Sequence, residues 1–319
     1  MSDAKLIDLA PDVATFADEV SRGLAESPKR VPCKFLYDER GSRLFEEICS
    51  LDEYYPTRTE LSILRDHADD MARHLGPKCL LVEYGSGSGI KTRVLLDALI
   101  EPAGYVPIDI SRDALLDGCD RLSARYPELA ILPVCADYTL EFRLPPGAAP
   151  PGRQAVFFPG STIGNFDRPE ALAFLGRVAS VVGEGGKLLI GVDRKKERAL
   201  LERAYDDARG VTAAFNRNLL RRINRELDGD FDLSTFEHRA VYDERHGRVE
   251  MHLVSRRAQT VHVGDESFAF DAGETIWTES SYKYSLDEFR RLAEAAGFVV
   301  SRVWQDEASL FSVQLLTAV

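Results

Sequence analysis

The chain has 319 residues, 45% of them hydrophobic, and 52 acidic against 40 basic residues give a formal net charge of −12. A surface of that sign repels phosphate backbones and anionic lipid, so neither nucleic acid nor membrane is an expected partner. Five scattered cysteines without a C-x-x-C pair, six histidines without ligand spacing and no long apolar run point to a cytoplasmic protein with reduced thiols, no metal centre and a length that suits two domains.

In chain order, the spacing of Val13, Phe16, Val20 and Leu24 predicts an amphipathic helix over 10–27, closed by Pro28. An aromatic-rich stretch follows, with Phe35, Tyr37, Phe45, Tyr54 and Tyr55, in which two short helical pieces are expected to break at Gly41-Ser42 and at Pro56. A buried tyrosine hydroxyl wants a polar partner, and pocket walls often supply one. A further helix is expected from Thr59 onward, carrying Leu61, Leu64, Ala68 and Met71.

The stretch LLVEYGSGSGIKTRVLLD at 80–97 reads as a strand, a glycine loop and a helix start. Gly85, Gly87 and Gly89 let a ligand approach the backbone, and the unpaired N–H groups of the helix start suit a polar or anionic group. A phosphate-binding P-loop needs glycine directly before the Lys-Thr pair, where Ile90 stands, and a dinucleotide fingerprint wants its third glycine one residue later. Asp109 ends the next apolar run and can accept two hydrogen bonds from a ribose diol, while Asp137 and Tyr138 end a third. Together they suggest an adenosine-containing ligand without a diphosphate, and S-adenosylmethionine (SAM) fits that description.

From 80 to 193 strands (80–83, 105–109, 130–136, 155–158, 187–193) alternate with helices (92–100, 112–126, 169–182), the pattern of a doubly wound α/β sheet. The stretch 144–154 reads as a Gly/Pro-rich surface loop. After the fourth strand, Gly160 and Asn165 fall at the ligand-binding edge, where Asn165 serves either a substrate's polar head or as an ordinary helix cap. The alternation then breaks: a helix is expected over 199–227, followed by β-like runs at 248–256, 259–263, 267–272 and 274–282. A helix capped by Ser285 and Glu288 and two strands, 298–304 and 311–319, close the chain. The expected organisation is a discontinuous α+β substrate-binding domain (8–58 and 194–282) and a SAM-binding domain (59–193 and 283–319).

The order of elements resembles a class I SAM-dependent methyltransferase, which implies a seven-stranded sheet. More specifically, the stretches YDERGSRLFEEI, EYYPTRTE, EYGSGSGIKTR, FPGSTIGNF, AYDDARGVTAAFNRN and TESSYKY resemble the histidine Nα-methyltransferases of ergothioneine biosynthesis over nearly the whole chain. The resemblance implies that Gly85, Lys91, Asp109, Asp137 and Tyr138 bind SAM. It places Tyr54, Gly160, Asn165 and Tyr205 at the amino acid's α-amino and carboxylate groups, Tyr37 near the transferred methyl, and Met251, Glu279 and Ser281 around the side chain. It further implies trimethylation of L-histidine to hercynine, and the chain is expected to act as a monomer on this small molecule. Glu279 can accept from an imidazole N–H and Ser281 can serve the other ring nitrogen, which favours histidine over tryptophan or tyrosine. Two alternatives stay open: an Nα-methyltransferase for one of those other aromatic amino acids, and a non-catalytic amino-acid sensor on the same fold.

Overall fold

The computed structural model describes residues 6–9, 13–87, 89–140 and 154–319, with backbone only at 13 and 14. The predicted loop at 144–154 lies, up to residue 153, outside the described residues. In chain order the elements are β1 (Ile7–Leu9), α1 (Val13–Ala25), β2 (Lys29–Arg30), α2 (Glu39–Cys49), α3 (Tyr55–Leu75), β3 (Leu80–Tyr84), α4 (Ile90–Ala98), β4 (Gly104–Asp109) and α5 (Arg112–Arg125). There follow β5 (Val134–Ala136), β6 (Gln154–Phe158), α6 (Arg168–Val182), β7 (Lys187–Asp193), α7 (Arg198–Tyr205), α8 (Val211–Glu226) and β8 (Phe236–Asp243). The chain closes with β9 (Arg248–Ser255), β10 (Gln259–Val263), β11 (Glu266–Phe270), β12 (Thr275–Tyr282), α9 (Leu286–Ala295), β13 (Phe298–Gln305) and β14 (Phe311–Ala318).

The chain divides into two compact units, one of Met1–Ala10, Pro56–Lys195 and Tyr282–Val319, the other of Pro11–Tyr55 and Lys196–Ser281. The first unit holds a sheet of order β1-β5-β4-β3-β6-β7-β14-β13, in which only β14 runs antiparallel to its neighbours. Its central strands β3, β4, β6 and β7 are buried on both faces, as a sheet covered on two sides requires. Val82, Ile108, Val156 and Ile190 pack with Phe174 of α6 and Phe289 of α9, while Leu81, Tyr105, Phe157 and Leu189 pack with Leu64 of α3 and Leu95 of α4. From β3 the chain steps outward through β4 to β5, then returns to β6 on the other side. That reversal opens a crevice at the carboxyl ends of β3 and β6, the place where doubly wound sheets take ligands. The short β1 adds an edge strand to the seven expected, pairing parallel to β5.

The second unit combines α1, α2, α7 and α8 with a four-stranded sheet of order β2-β12-β9-β8 and the β10–β11 hairpin. Several local expectations change here. Gly41-Ser42 does not break a helix but sits in the first turn of α2, where a Cβ on Gly41 would fall 1.7 Å from the Leu36 carbonyl oxygen. Pro56 does not stop a helix either; it occupies the second position of α3, where its missing N–H costs nothing. The single helix expected over 199–227 is two. The Asp207 carboxylate accepts from the N–H groups of Val211 (3.0 Å) and Thr212 (2.7 Å), capping α8 and separating it from α7. Strand β8, absent from the sequence reading, pairs antiparallel along its whole length with β9.

Candidate active site

The crevice of the first unit is built on backbone geometry. Gly85, Gly87 and Gly89 have φ of +73°, +46° and +68°, values that side chains tolerate poorly. The loop is tied to the next strand, because Gly87 N–H donates to Asp109 Oδ2 (3.1 Å) while Ser111 N–H donates to Oδ1 (2.9 Å). Burial raises the Asp109 carboxyl above its ordinary range, and those N–H groups oppose the rise. The Tyr138 hydroxyl lies beside Gly85, 3.8 Å from where a Cβ would stand, and its ring packs near Tyr84 and Phe158. Asp137 accepts from the Thr139 N–H (2.9 Å) and hydroxyl (2.5 Å).

Beneath the loop lies a buried acid that sequence reasoning left unassigned. Glu83 is 1% exposed and accepts from the Thr92 hydroxyl (2.7 Å) and the Tyr105 hydroxyl (2.5 Å). Desolvation dominates and pushes its pKa up to about 8, so the group is protonated at neutral pH. Across the crevice, Gly160 follows β6 at φ +82°. Its N–H is already engaged by Glu60, which also pairs with Lys91. Asn165 is half-buried at the end of a short 3-10 turn (Thr162–Asn165), and it is not the cap of α6: that duty falls to Asp167, in a reciprocal capping box with Glu170.

The second unit gathers the remaining candidates around its sheet. Glu279 and Ser281 stand two positions apart on β12 and share one face. Glu279 is 9% exposed, and Ser281 Oγ lies 2.8 Å from the Tyr205 hydroxyl. Tyr54 and Tyr205 meet edge to face with ring centroids 5.9 Å apart, and Tyr37 packs on Phe45 and Phe215 at 5.5 and 5.4 Å. Burial first, then the proximity of Tyr205, Cys49, Tyr37 and Glu279, holds the Tyr54 phenol well above its usual range. Tyr54 is therefore a neutral hydrogen-bond donor and no base. Met251 is buried on β9, and its carbonyl accepts from the Thr278 hydroxyl at 3.0 Å.

Residue 205 is placed by a histidine that local pattern did not reveal. His238 on β8 is buried, its Nε2 lies 2.8 Å from the Tyr205 carbonyl oxygen and its Nδ1 2.9 Å from Asn216 Nδ2. An amide NH₂ can only donate, so Nδ1 accepts and Nε2–H donates. Desolvation lowers the His238 pKa and keeps that neutral form.

The family model of histidine-specific, SAM-dependent methyltransferases matches residues 16–318. The chain belongs to that family. It is 41% identical over 314 residues to the histidine N-alpha-methyltransferase of Mycolicibacterium smegmatis, covering 96% of this chain and 97% of that protein. It is 31% identical to ergothioneine biosynthesis protein 1 of Schizosaccharomyces pombe, covering 92% of this chain and 40% of that one, and 27% identical to an L-tryptophan methyltransferase of Psilocybe serbica, covering 94% and 92%. Among solved structures, a SAM-dependent methyltransferase from Clostridium acetobutylicum superposes with a TM-score of 0.48 at 10% identity, covering 81% of this chain and 91% of that one.

The methyltransferase uses SAM as its methyl donor, and the crevice residues suit it. The positive-φ glycine backbone admits close approach, Asp109 offers carboxylate oxygens to a diol, and the Tyr138 ring offers a face to a base. Among the described residues no group of three or more His, Cys, Asp or Glu is arranged to hold a metal ion, and no helix is long and apolar enough to cross a membrane.

Proposed function

We propose that the methyltransferase trimethylates the α-amine of L-histidine, giving the betaine hercynine of ergothioneine biosynthesis. The observation that carries the substrate is Glu279, a buried carboxylate on the strand face that also bears Ser281. An acceptor at that depth suits an imidazole N–H, and the Ser281 hydroxyl can serve the other ring nitrogen. The mycobacterial relative's name and the family model support the same reading.

In this reading Gly85, Lys91, Asp109, Asp137 and Tyr138 hold the cofactor, with Asp109 on the ribose and Asp137-Tyr138 beside the adenine. When bound, SAM supplies an electrophilic methyl group on a sulfonium. Tyr54, Gly160, Asn165 and Tyr205 receive the substrate's α-amino and carboxylate groups. Because Glu60 already occupies the Gly160 N–H, Gly160 serves through its carbonyl or its close backbone approach. Met251, Glu279 and Ser281 line the side-chain pocket. Tyr37, the catalytic candidate, offers its ring to the ammonium as it gains methyl groups. Positive charge passes from sulfur to nitrogen with little new anion to stabilise, so positioning carries most of the rate. Since Tyr54 stays protonated, the amine must shed its proton to water or to another hydroxyl.

The first unit is read as the SAM-binding domain and the second as the principal substrate-binding domain. The chain is taken to act as a cytoplasmic monomer on a small molecule, without nucleic acid or membrane. The test is to incubate the protein with SAM and L-histidine and follow the product by NMR. Three equivalent methyl groups on the α-nitrogen are expected; methylation of a ring nitrogen, or SAM binding without turnover, sinks the assignment.

A further inference from the structure

Glu60 lies on α3 with no exposed side-chain surface. Its carboxylate gathers three segments of the first unit. Oε2 pairs with Lys91 Nζ at the start of α4 (2.5 Å), and the two oxygens accept from Gly160 N–H after β6 at 3.0 and 2.8 Å. The group also lies against β7, where a Cβ on Gly191 would fall 2.0 Å from Oε1. Glycine at 191 is the room the carboxylate needs. For packing alone an acid is a poor choice here: a hydrophobic residue of similar size commonly replaces a buried ion pair at no loss of stability. The pair therefore calls for another explanation.

Lys91 is itself largely buried, with its side chain 18% exposed. In the reading above it faces a cofactor whose sulfur is cationic. A lone ammonium attracts the cofactor's carboxylate but repels its sulfonium, and low local dielectric strengthens both effects. Resting on that assignment of Lys91, we propose that Glu60 is a positioning residue that holds the Lys91 ammonium in place and cancels its charge, so that the ammonium does not bias the site against the cationic donor and towards the neutral spent product. SAM and S-adenosylhomocysteine (SAH) share the adenosine and the amino-acid head. They differ by one methyl group and one positive charge, so their affinity ratio reads the local charge directly.

The experiment is calorimetric titration of both ligands into the full chain and its variants. Glu60→Gln keeps the shape, and it is expected to raise the ratio of Kd(SAM) to Kd(SAH) by about fivefold or more. Adding Lys91→Met to that variant removes the uncompensated ammonium and is expected to return the ratio toward the wild-type value, whatever happens to absolute affinity. Lys91→Met alone leaves Glu60 unbalanced and is expected to lower the ratio, which keeps the question open to test should Glu60→Gln fail to fold. Equal weakening of both ligands in Glu60→Gln overturns the proposal and leaves Glu60 a scaffold residue. Unchanged affinity for both ligands in Lys91→Met removes the assignment of Lys91 to the cofactor instead.

Discussion

Removing the Glu279 carboxylate is expected to raise KM for L-histidine by about ten- to a hundredfold with a smaller effect on kcat, the usual consequence of losing a buried hydrogen bond to substrate. Steady-state kinetics of Glu279→Ala check it, and an unchanged KM contradicts the pocket. Glu83 makes a prediction about stability. Its folded-state pKa of about 8 lies above the ordinary carboxylate range, so folding binds a proton between those limits. Stability from this group is complete below the unfolded pKa near 4.5 and is lost as pH rises through about 8. Melting curves across that window are expected to show wild type losing stability relative to Glu83→Gln by at most about 1.4 kcal/mol per pH unit. Parallel curves would show Glu83 ionised throughout. Neither Glu83 nor Glu60 has a local signature. Glu60 stands at the end of EYYPTRTE, and its partners Lys91 and Gly160 come from distant parts of the chain. A buried acid announces itself only once those partners converge.

At the scale of elements, α9 offers a clean case. Ser285 Oγ accepts from Glu288 N–H (3.2 Å) while Glu288 Oε2 accepts from Ser285 N–H (2.8 Å). Ser285→Ala is expected to cost about 1 kcal/mol and to lower Tm by a few degrees, read by differential scanning calorimetry. That helix and its cap were legible because the capping box is a local pattern, and so were strands β3, β4, β6 and β7, whose apolar runs stand between glycine and acidic punctuation. Strand β8 was not. Its inward positions are Phe236, His238, Ala240 and Tyr242, too mixed in polarity to register as a hydrophobic alternation. The break between α7 and α8 was hidden for a related reason: Asp207 starts α8 through hydrogen bonds to its first-turn N–H groups, which apolar spacing does not report. Strand β1 has three residues, two of them exposed, and exists only through its pairing with β5.

At the scale of the whole molecule, the doubly wound sheet and its ligand-binding edge follow from strand and helix alternation, and topology then assigns the crevice to the ends of β3 and β6. What the alternation does not contain is substrate identity. That rests on a few polar groups in the second unit, chiefly Glu279 and Ser281. The most direct test is competition: the protein is given SAM labelled on the methyl group and an equimolar mixture of L-histidine, L-tryptophan and L-tyrosine, and the labelled products are separated and weighed. Label in Nα-methylated histidine, with the other two essentially untouched, is the predicted result. Label in tryptophan or tyrosine in preference to histidine would contradict the account.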